Sequence, residues 1–193
     1  MPEVKILIKG YTSADKPGKK EVTCPTITLV RDGRMIIVVD PGTLINQSVL
    51  VNALKKEGLS PNDVNTVFLT HSHIDHFANA GMFSKAAIVE YYGVWKSNFV
   101  KDRPVNLTKN IQIIETPGHS FSGLTLLVKT SLGVVAVCGD VFWKENYPEV
   151  DNYADNPKKL KESRKKVLQL ADYIIPGHAG MFKVFKQKCK YEK

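Results

Sequence analysis

Three histidines and a carboxylate lie within the six residues 71–76, in the segment Thr70-His71-Ser72-His73-Ile74-Asp75-His76. The segment directly follows the apolar run Val67-Phe68-Leu69, which is typical of a buried strand. Imidazole nitrogens and carboxylate oxygens are donor atoms that suit zinc and its neighbours in the transition series. A tight loop at a strand end can turn such side chains toward one centre, so the segment predicts a metal site.

Two further histidines each follow a Pro-Gly step, in Pro117-Gly118-His119 and in Pro176-Gly177-His178. The sequence has five histidines, and none lies outside these three motifs. Each Pro-Gly-His step follows an apolar β-type run, and another such run precedes Gly139-Asp140. We therefore expect a set of ligating side chains at strand ends, namely His71, His73, Asp75, His76, His119, Asp140 and His178.

The number of candidate ligands suits two metal ions. A catalytic zinc ion usually has three protein ligands and a water, so this set matches two ions that share one ligand. Two ions about 3.5–4 Å apart can hold a hydroxide between them and stabilise both the attacking and the leaving oxygen. The implied chemistry is hydrolysis.

Length and composition favour a single globular domain over residues 1–193. With 43% hydrophobic and 24% charged residues, the chain can bury a substantial core. The three cysteines are far apart and odd in number, which favours free thiols in a reducing compartment. The first residues lack a signal-peptide pattern, and no segment approaches the ~18 apolar residues of a membrane span. These features predict a cytoplasmic protein that does not enter a membrane.

The net charge of +8 comes from the last part of the chain. Residues 158–193 contain eleven lysines and arginines against three acids, whereas residues 1–157 contain sixteen of each sign. We interpret the basic segment as a solvated helix face and a lysine-rich tail, because charge runs of this kind usually lie on surfaces. The alternative is an electrostatic attraction for a polyanion or an anionic substrate near the site.

Hydrophobic periodicity predicts strands and helices in both halves of the chain. The predicted strands are residues 4–9, 22–30, 35–39, 67–69, 86–89, 111–115, 124–129, 134–137 and 173–175. The predicted helices are residues 46–57, residues 77–83 and a helix that begins at Asn156-Pro157, with a short helical turn at Ser60-Pro61. Residues 13–20 are predicted to form a turn, and residues 91–106 show no clear pattern.

The motifs between Asp40 and His178 resemble, in their order, those of the metallo-β-lactamase superfamily. They are Asp40-Pro41-Gly42, the His-x-His-x-Asp-His segment, Gly139-Asp140 and the two Pro-Gly-His steps. The resemblance implies the α/β (α+β) class and a four-layer αβ/βα sandwich with two mixed β-sheets. It implies one metal bound by His71, His73 and His119, and a second bound by Asp75, His76 and His178. Asp140 would bridge the two metals, and Asp40 would support the histidine loop without binding metal.

A narrower similarity is to the metallo-β-lactamase domain-containing protein 1 group. It is carried by residues 59–64, by residues 139–142, and by matching stretches between residues 163 and 184. Endoribonuclease activity has been attributed to a member of that group. The resemblance therefore makes RNA a candidate substrate beside small molecules.

The leading interpretation is a dinuclear hydrolase with two zinc ions, in which a metal-bound hydroxide attacks an ester, thioester or phosphodiester bond. Asp75 would orient the attacking water, and Asp140 would join the two ions. Iron or manganese would also suit these ligands, because no thiolate is among them. Since all five histidines are used as ligands, protonation of the leaving group would fall to Asp75 or to solvent.

Two alternatives stay open: an endoribonuclease acting on RNA, and a mononuclear iron persulfide dioxygenase. Only 37 residues separate Asp140 from His178, too few for an inserted cap domain. Specificity is therefore expected from residues 91–106, from residues 142–155 and from a homodimer partner. The neighbouring side chains carry smaller expectations: Phe142, Trp143 and Tyr147 as pocket wall or core, Ser120 and Ser122 as backbone caps, and Cys138 as buried packing.

Overall fold

The computed structural model describes residues 1–14 and 20–185. Its strands are, in chain order, β1 (Glu3–Ile8), β2 (Tyr11–Thr12), β3 (Thr23–Cys24), β4 (Ile27–Asp32), β5 (Met35–Val39), β6 (Thr66–Phe68), β7 (Ala87–Val89), β8 (Val94–Lys96), β9 (Phe99–Lys101), β10 (Asn106–Thr108), β11 (Ile111–Glu115), β12 (Leu124–Thr130), β13 (Gly133–Val137), β14 (Tyr173–Ile175) and β15 (Phe182–Lys183). Its α-helices are α1 (Ser48–Lys56), α2 (Ile74–Phe77) and α3 (Pro157–Leu170). Short 3₁₀ turns lie at Pro61–Asp63, Ala80–Met82 and Gly139–Val141.

Two large sheets are both mixed. The first has the order β1-β4-β5-β6-β7-β8-β9, and its β5–β6 and β6–β7 pairs are parallel. The second has the order β10-β11-β12-β13-β14-β15, and its β13–β14 pair is parallel. Parallel neighbours require a crossover connection. Helix α1 lies in the crossover between β5 and β6, and α3 lies in the crossover between β13 and β14.

Alternation along the strands divides the apolar side chains between the layers. In β5, Ile37 and Val39 contribute to the core between the two sheets, whereas Val38 contributes to the core beneath α1. Leu50 and Leu54 of α1 are completely buried in that second core. Each such leucine stabilises the fold by about 1.5–3 kcal/mol. Helix α1 therefore forms an outer layer on the first sheet.

Helix α3 covers the outer face of the second sheet in the same way. Its buried Leu160 and Val167 belong to a core with Ile174 of β14. The helix begins as its sequence predicts, since the side chain of Asn156 accepts a hydrogen bond from the Lys159 N–H at 3.0 Å. The result is a helix–sheet–sheet–helix arrangement, so the predicted four-layer sandwich with two mixed sheets is confirmed.

Two predicted elements differ from the structure, and one segment without a prediction contains strands. The helix predicted over residues 77–83 is wrong, because the helix starts inside the histidine motif, at Ile74, and ends at Phe77. The strand predicted over residues 22–30 is interrupted at Pro25, which has no N–H to donate to a sheet. Its first part, β3, instead pairs with β2. The unassigned residues 91–106 contain β8, β9 and the start of β10.

Two predicted features fall partly outside the described residues. These are the turn at residues 13–20, of which residues 15–19 are not described, and the last part of the lysine-rich tail, residues 186–193. The β2–β3 ribbon, by which we mean residues 11–14 and 20–24, projects beside the histidine loop. None of the described helices is both long enough and apolar enough to cross a bilayer.

Candidate metal centre

Asp40 joins the histidine loop to the neighbouring strand. It follows β5 in a left-handed backbone conformation (φ 47°) and is buried. Its Oδ1 accepts a hydrogen bond from the Thr70 N–H at 2.8 Å, and its Oδ2 accepts one from the Thr70 hydroxyl at 2.6 Å. The same Oδ2 lies 2.8 Å from Nδ1 of His76. The geometry therefore suits the supporting role that the resemblance implies for Asp40.

The first group of candidate ligands consists of three imidazoles, His71, His73 and His119. Nδ1 of His73 lies 3.0 Å from Nε2 of His71 and 3.0 Å from Nε2 of His119. Four tetrahedral ligands at the usual zinc–nitrogen distance are separated by about 3.3 Å. The three nitrogens thus converge at a spacing that suits one cation. We call these residues the imidazole set.

The second group contains Asp75, His76 and His178, and Asp140 lies against it. Oδ2 of Asp75 is 3.8 Å from Nε2 of His76 and 3.8 Å from Nε2 of His178. Oδ1 of Asp140 is 3.4 Å from Nε2 of His76, and its Oδ2 is 3.2 Å from Nε2 of His178. We call Asp75, His76 and His178 the mixed set.

The Asp140 carboxylate also reaches the imidazole set. Its Oδ2 lies 3.4 Å from Nε2 of His119. Asp140 follows β13 in a 3₁₀ turn, at the edge where strands from both sheets deliver the other ligands. The structure therefore brings all seven side chains predicted from the sequence into one cluster, with Asp140 between the two sets.

Two buried atoms in this cluster lack a hydrogen-bond partner among the described residues. They are Nε2 of His76 and Oδ1 of Asp140, which face each other. Buried polar atoms are nearly always paired, because desolvation without a partner costs about 1–3 kcal/mol. A cation between these two atoms would satisfy both. The donor set, five nitrogens and two carboxylates without thiolate, fits zinc, iron or manganese.

In most of these histidines, the ring nitrogen that faces away from the other candidate ligands contacts a polar atom of the surrounding protein. Nδ1 of His71 lies 3.1 Å from the Thr70 hydroxyl, and Nδ1 of His119 lies 2.7 Å from Oδ2 of Asp151. Nδ1 of His178 lies 3.0 Å from the carbonyl oxygen of Cys24. A carbonyl oxygen only accepts, so Nδ1 of His178 carries the proton, and a neutral ring then presents the Nε2 lone pair. Such outer contacts fix the ring orientation that a metal requires.

The sequence did not point to Asp151 or to Thr23. Asp151 is buried in the irregular segment after Asp140, where no periodicity marks it. Thr23, in the β2–β3 ribbon, donates its hydroxyl proton to Oδ2 of Asp75 at 3.1 Å and lies 3.3 Å from Nδ1 of His178. Both contacts span long stretches of sequence, so only the folded chain reveals them.

Two histidines of the imidazole set favour the neutral ring. Burial lowers the pKa of His71 well below its ordinary value, and the neighbouring His76 lowers it further. Burial also lowers the pKa of His73, followed by the effect of His119. Neutral imidazoles present free lone pairs, so His71 and His73 can accept a cation without first losing a proton.

The mixed set has the opposite electrostatics. Burial alone would lower the pKa of His76, but the carboxylates of Asp140 and Asp40 hold it well above its ordinary value. Asp140 likewise raises the pKa of His178 against the effect of burial. In return His178 and His76 hold the pKa of Asp140 well below its usual range, although burial opposes this. A cation entering this set replaces protons.

A cavity of about 140 Å³ opens onto both sets. It is lined by Thr12, Ala14, Glu21, Thr23, His73, Asp75, His119, Asp140, Trp143, Tyr153 and His178. The Tyr153 hydroxyl donates to Oε1 of Glu21 at 2.6 Å across its mouth. The charged residues in this lining, apart from histidine, are acidic.

The aromatic residues after Asp140 divide between wall and core. Trp143 lines the cavity, with its ring centroid 6.4 Å from that of His119 and 6.5 Å from that of His178. Phe142 belongs instead to the core beneath α3. Tyr147 stacks edge-on against Trp143 at 6.0 Å. Trp143 is thus the pocket residue of the three.

The smaller predictions can also be placed. The Ser120 hydroxyl accepts from the Ser122 N–H at 3.3 Å, as expected of a backbone cap, and Cys138 is buried as expected. Part of the basic segment is structural, since the half-buried Arg164 donates to the Val141 carbonyl at 2.9 Å. Lysines of α3 such as Lys161 are exposed, which agrees with a solvated helix face.

Two glycines next to site residues are required by close packing. A Cβ atom on Gly118 would overlap the backbone of Leu160 in α3, and the backbone there has φ 137°. A Cβ atom on Gly177 would overlap the carboxylate of Asp140. The glycine in each Pro-Gly-His step therefore makes room for a neighbouring part of the site.

Comparison with known proteins agrees with this architecture. The sequence model of the family described as Metallo-beta-lactamase superfamily matches residues 25–105. The chain is 34% identical over 195 residues to metallo-beta-lactamase domain-containing protein 1 of Xenopus laevis, which covers 95% of this chain and 82% of the frog protein. The rat protein of the same name is 34% identical over 166 residues, which cover 80% of this chain but 65% of the rat protein.

Solved structures show the same fold. A crystal structure of a metallo-beta-lactamase-type protein from Thermotoga maritima has a TM-score of 0.76 at 23% identity, covering 94% of this chain and 99% of that one. AidC, a dizinc quorum-quenching lactonase in complex with its product, has a TM-score of 0.67 at 18% identity, covering 88% of this chain and 78% of that one.

A four-layer sandwich with clustered histidines and aspartates at one sheet edge defines a class of metal-dependent hydrolases. The chain belongs to the metallo-β-lactamase superfamily, as its 34% identity to the frog protein over 95% of this chain establishes. The expected similarity to the metallo-β-lactamase domain-containing protein 1 group is confirmed.

Proposed function

We propose that this protein is a dinuclear metal-dependent hydrolase that cleaves a small ester, thioester or lactone-like substrate. The imidazole set would hold one zinc ion, the mixed set would hold the other, and Asp140 would contact both. The observation that carries the proposal is the position of the Asp140 carboxylate, whose two oxygens face histidines of both sets at 3.2–3.4 Å. A cytoplasmic location and a homodimer stay predictions from the sequence.

Two divalent ions in such a site supply an activated water and stabilise the negative charge that develops during hydrolysis. The chain's own contribution begins with Asp75, whose side chain is 18% exposed and reaches the cavity. The Thr23 hydroxyl fixes Oδ2 of Asp75. The carboxylate can therefore orient the attacking water and receive its proton. In the net reaction the water oxygen joins the acyl carbon, and the proton goes to the departing oxygen or sulfur.

The cavity lining supports an uncharged substrate. Apart from the proposed ligands Asp75 and Asp140, whose charges the two ions would offset, Glu21 is the charged residue of the described lining besides histidine, and no lysine or arginine of the described chain lines it. An ester or thioester carbonyl needs no cationic side chain for recognition, whereas the described lining supplies no lysine or arginine for the repeated phosphates of a polyanion. The fold likeness to a dizinc lactonase is in keeping with this substrate class.

The proposal is tested by the metal content of the protein as purified and by the activity of the zinc-loaded protein. The zinc-loaded protein is assayed on p-nitrophenyl acetate, an acetyl thioester, a lactone, a phosphodiester surrogate and a generic RNA. We expect two ions per chain and turnover of at least one acyl substrate, which Asp140→Asn abolishes. One iron per chain with oxygen consumption on a persulfide would replace the proposal with the dioxygenase alternative.

RNA cleavage is a second candidate because a basic helix borders the site. The N–H of Asn156, which caps α3, donates to the Gly118 carbonyl at 2.9 Å, next to His119. The exposed lysines that follow include Lys158, Lys159, Lys161 and Lys165. If RNA is the substrate, its affinity falls steeply with salt and falls again when these four lysines become glutamines. An affinity that stays unchanged between about 50 and 200 mM salt removes this candidate.

A further inference from the structure

A second concave surface adjoins the metal cavity. It is a groove of about 690 Å³ between the β2–β3 ribbon and the start of α1. Its apolar lining includes Ile8, Tyr11, Val22, Leu44, Ile45 and Val49. Val22 is 52% exposed, Val49 is 48% exposed, and Ile45 is completely exposed. Small-molecule sites commonly have volumes of about 300–1,000 Å³ and mostly apolar walls, so the groove has the size and character of a ligand site.

The groove adjoins the cavity at the metal centre, since Glu21 and Thr23 line both. The Thr23 hydroxyl, at this boundary, donates to Asp75 at 3.1 Å. A molecule whose reacting group lies beside Asp75 would therefore reach the groove by passing Thr23.

The charges of the groove indicate what could occupy it. Glu21 is the charged residue in its described lining, so none of the described lining residues offers a cation to a phosphate or carboxylate. Apolar side chains left exposed around a concavity gain free energy when an apolar group removes water from them. An unbranched hydrocarbon chain suits these properties, whereas a nucleic-acid strand does not.

We infer that this groove binds the hydrocarbon chain of an acyl substrate whose carbonyl group lies at the metal centre. The inference rests on the proposed hydrolase function and extends it, because it names a medium- or long-chain acyl ester or thioester as the substrate class. Specificity would then come from the β2–β3 ribbon and the start of α1, and not from residues 91–106.

Two valines of the same helix provide a matched test. Val49 lines the groove, whereas Val51 does not, and Val51 is 36% exposed. Both tolerate a polar replacement because neither belongs to a buried core. The zinc-loaded wild type, Val49→Glu and Val51→Glu are assayed on p-nitrophenyl esters from acetyl to decanoyl. Full burial of one methylene corresponds to about a fourfold gain in binding, so we expect kcat/KM to rise about two- to fourfold per methylene over part of the series.

Val49→Glu is expected to lower kcat/KM for the decanoyl ester at least tenfold and to leave the acetyl ester within twofold of wild type. Val51→Glu is expected to match wild type on both. Acetyl hydrolysis that requires Asp140 but shows no chain-length dependence overturns the groove inference while the proposed hydrolase function stands.

A binding measurement tests the groove independently of catalysis. The zinc-loaded protein is titrated with decanoate in a calorimeter, and acetate, which has the carboxylate without the chain, serves as the reference. We expect decanoate to bind more tightly than acetate. Val49→Glu is expected to weaken decanoate binding tenfold, and Val51→Glu is expected to leave it unchanged. If no ester is cleaved, the hydrolase proposal fails and this titration still decides the groove. Equal decanoate affinity in all three proteins overturns the inference. So does a wild-type dimer that Val49→Glu converts to monomer in sedimentation, because the groove would then be a subunit interface.

Discussion

The imidazole set and the mixed set lie side by side and are built on opposite electrostatic principles. The imidazole set has three histidines, and burial lowers the pKa of His71 and His73. In the mixed set, carboxylates raise the pKa of His76 and His178. Protons therefore compete with a cation less at His71 and His73 than at His76 and His178. Two sites only a few ångströms apart need not fill under the same conditions.

Removing the group that the two sets share is expected to have the largest effect. Asp140→Ala removes the carboxylate that lies 3.4 Å from Nε2 of His76 and 3.2 Å from Nε2 of His178, and it deprives both cations of an anionic neighbour. We expect the second ion to be lost and kcat to fall by more than about 100-fold, beyond the range typical of outer contacts. Metal analysis and ester hydrolysis measure this. Glu149→Gln, whose residue is exposed, serves as the control. Two retained ions with near-normal kcat would exclude a shared role.

Acidification is expected to release the ions of the two sets at different pH values. Because their pKa values are raised, His76 and His178 take up protons at a higher pH than ordinary histidines, and protons compete with the metal. The lowered pKa values of His71 and His73 delay the same competition. Dialysis over a pH series, followed by metal analysis, should show one ion leaving at a higher pH than the other. Simultaneous loss of both ions would contradict the comparison.

Substitutions behind the ligands should weaken one set at a time. Asp151→Asn removes the charge 2.7 Å from Nδ1 of His119 and is expected to weaken the ion in the imidazole set by about 10- to 100-fold. Thr23→Val removes the hydroxyl that orients Asp75 and is expected to act on the mixed set alone, at the lower end of that range. Competition with a chelator measures both affinities. Equal weakening of both ions by either variant would argue against separate sets.

The smallest effect is expected at Cys24. Its backbone carbonyl, and not its thiol, faces Nδ1 of His178. Cys24→Ala should therefore change metal affinity by less than about twofold. Burial raises the pKa of this thiol and of Cys138, so neither should react with iodoacetamide in the folded protein. Rapid labelling of Cys138 in the native state would show that its strand end opens.

The residues of the cluster could be predicted from the sequence because each follows a strand and carries a local motif. The sandwich followed from the family resemblance and not from the strand pattern, which fits several folds. Contacts that join distant segments could not be predicted. Asp151 reaches His119 across 32 residues, and Thr23 reaches Asp75 across 52. Neither segment has a periodicity that predicts these contacts.

The errors have local physical causes. The helix was expected after the histidine motif, at residues 77–83, but His73 adopts an extended conformation as N-cap and the helix begins at Ile74. Thus Asp75 and His76 are delivered from a helical turn, and His71 and His73 from the loop before it. The groove was missed for another reason: its apolar residues come from three separate segments of the chain, around Ile8, Val22 and Ile45.

The packing at Gly118 and Gly177 has a consequence for recognising related enzymes. A related sequence that keeps every histidine and aspartate but carries a larger residue at either position would still match a search for the candidate ligands. Its side chain would collide with α3 or with the Asp140 carboxylate, and the candidate ligands would no longer converge. In a chain of this type, glycine at these two positions is therefore as informative about an intact site as the ligand residues themselves.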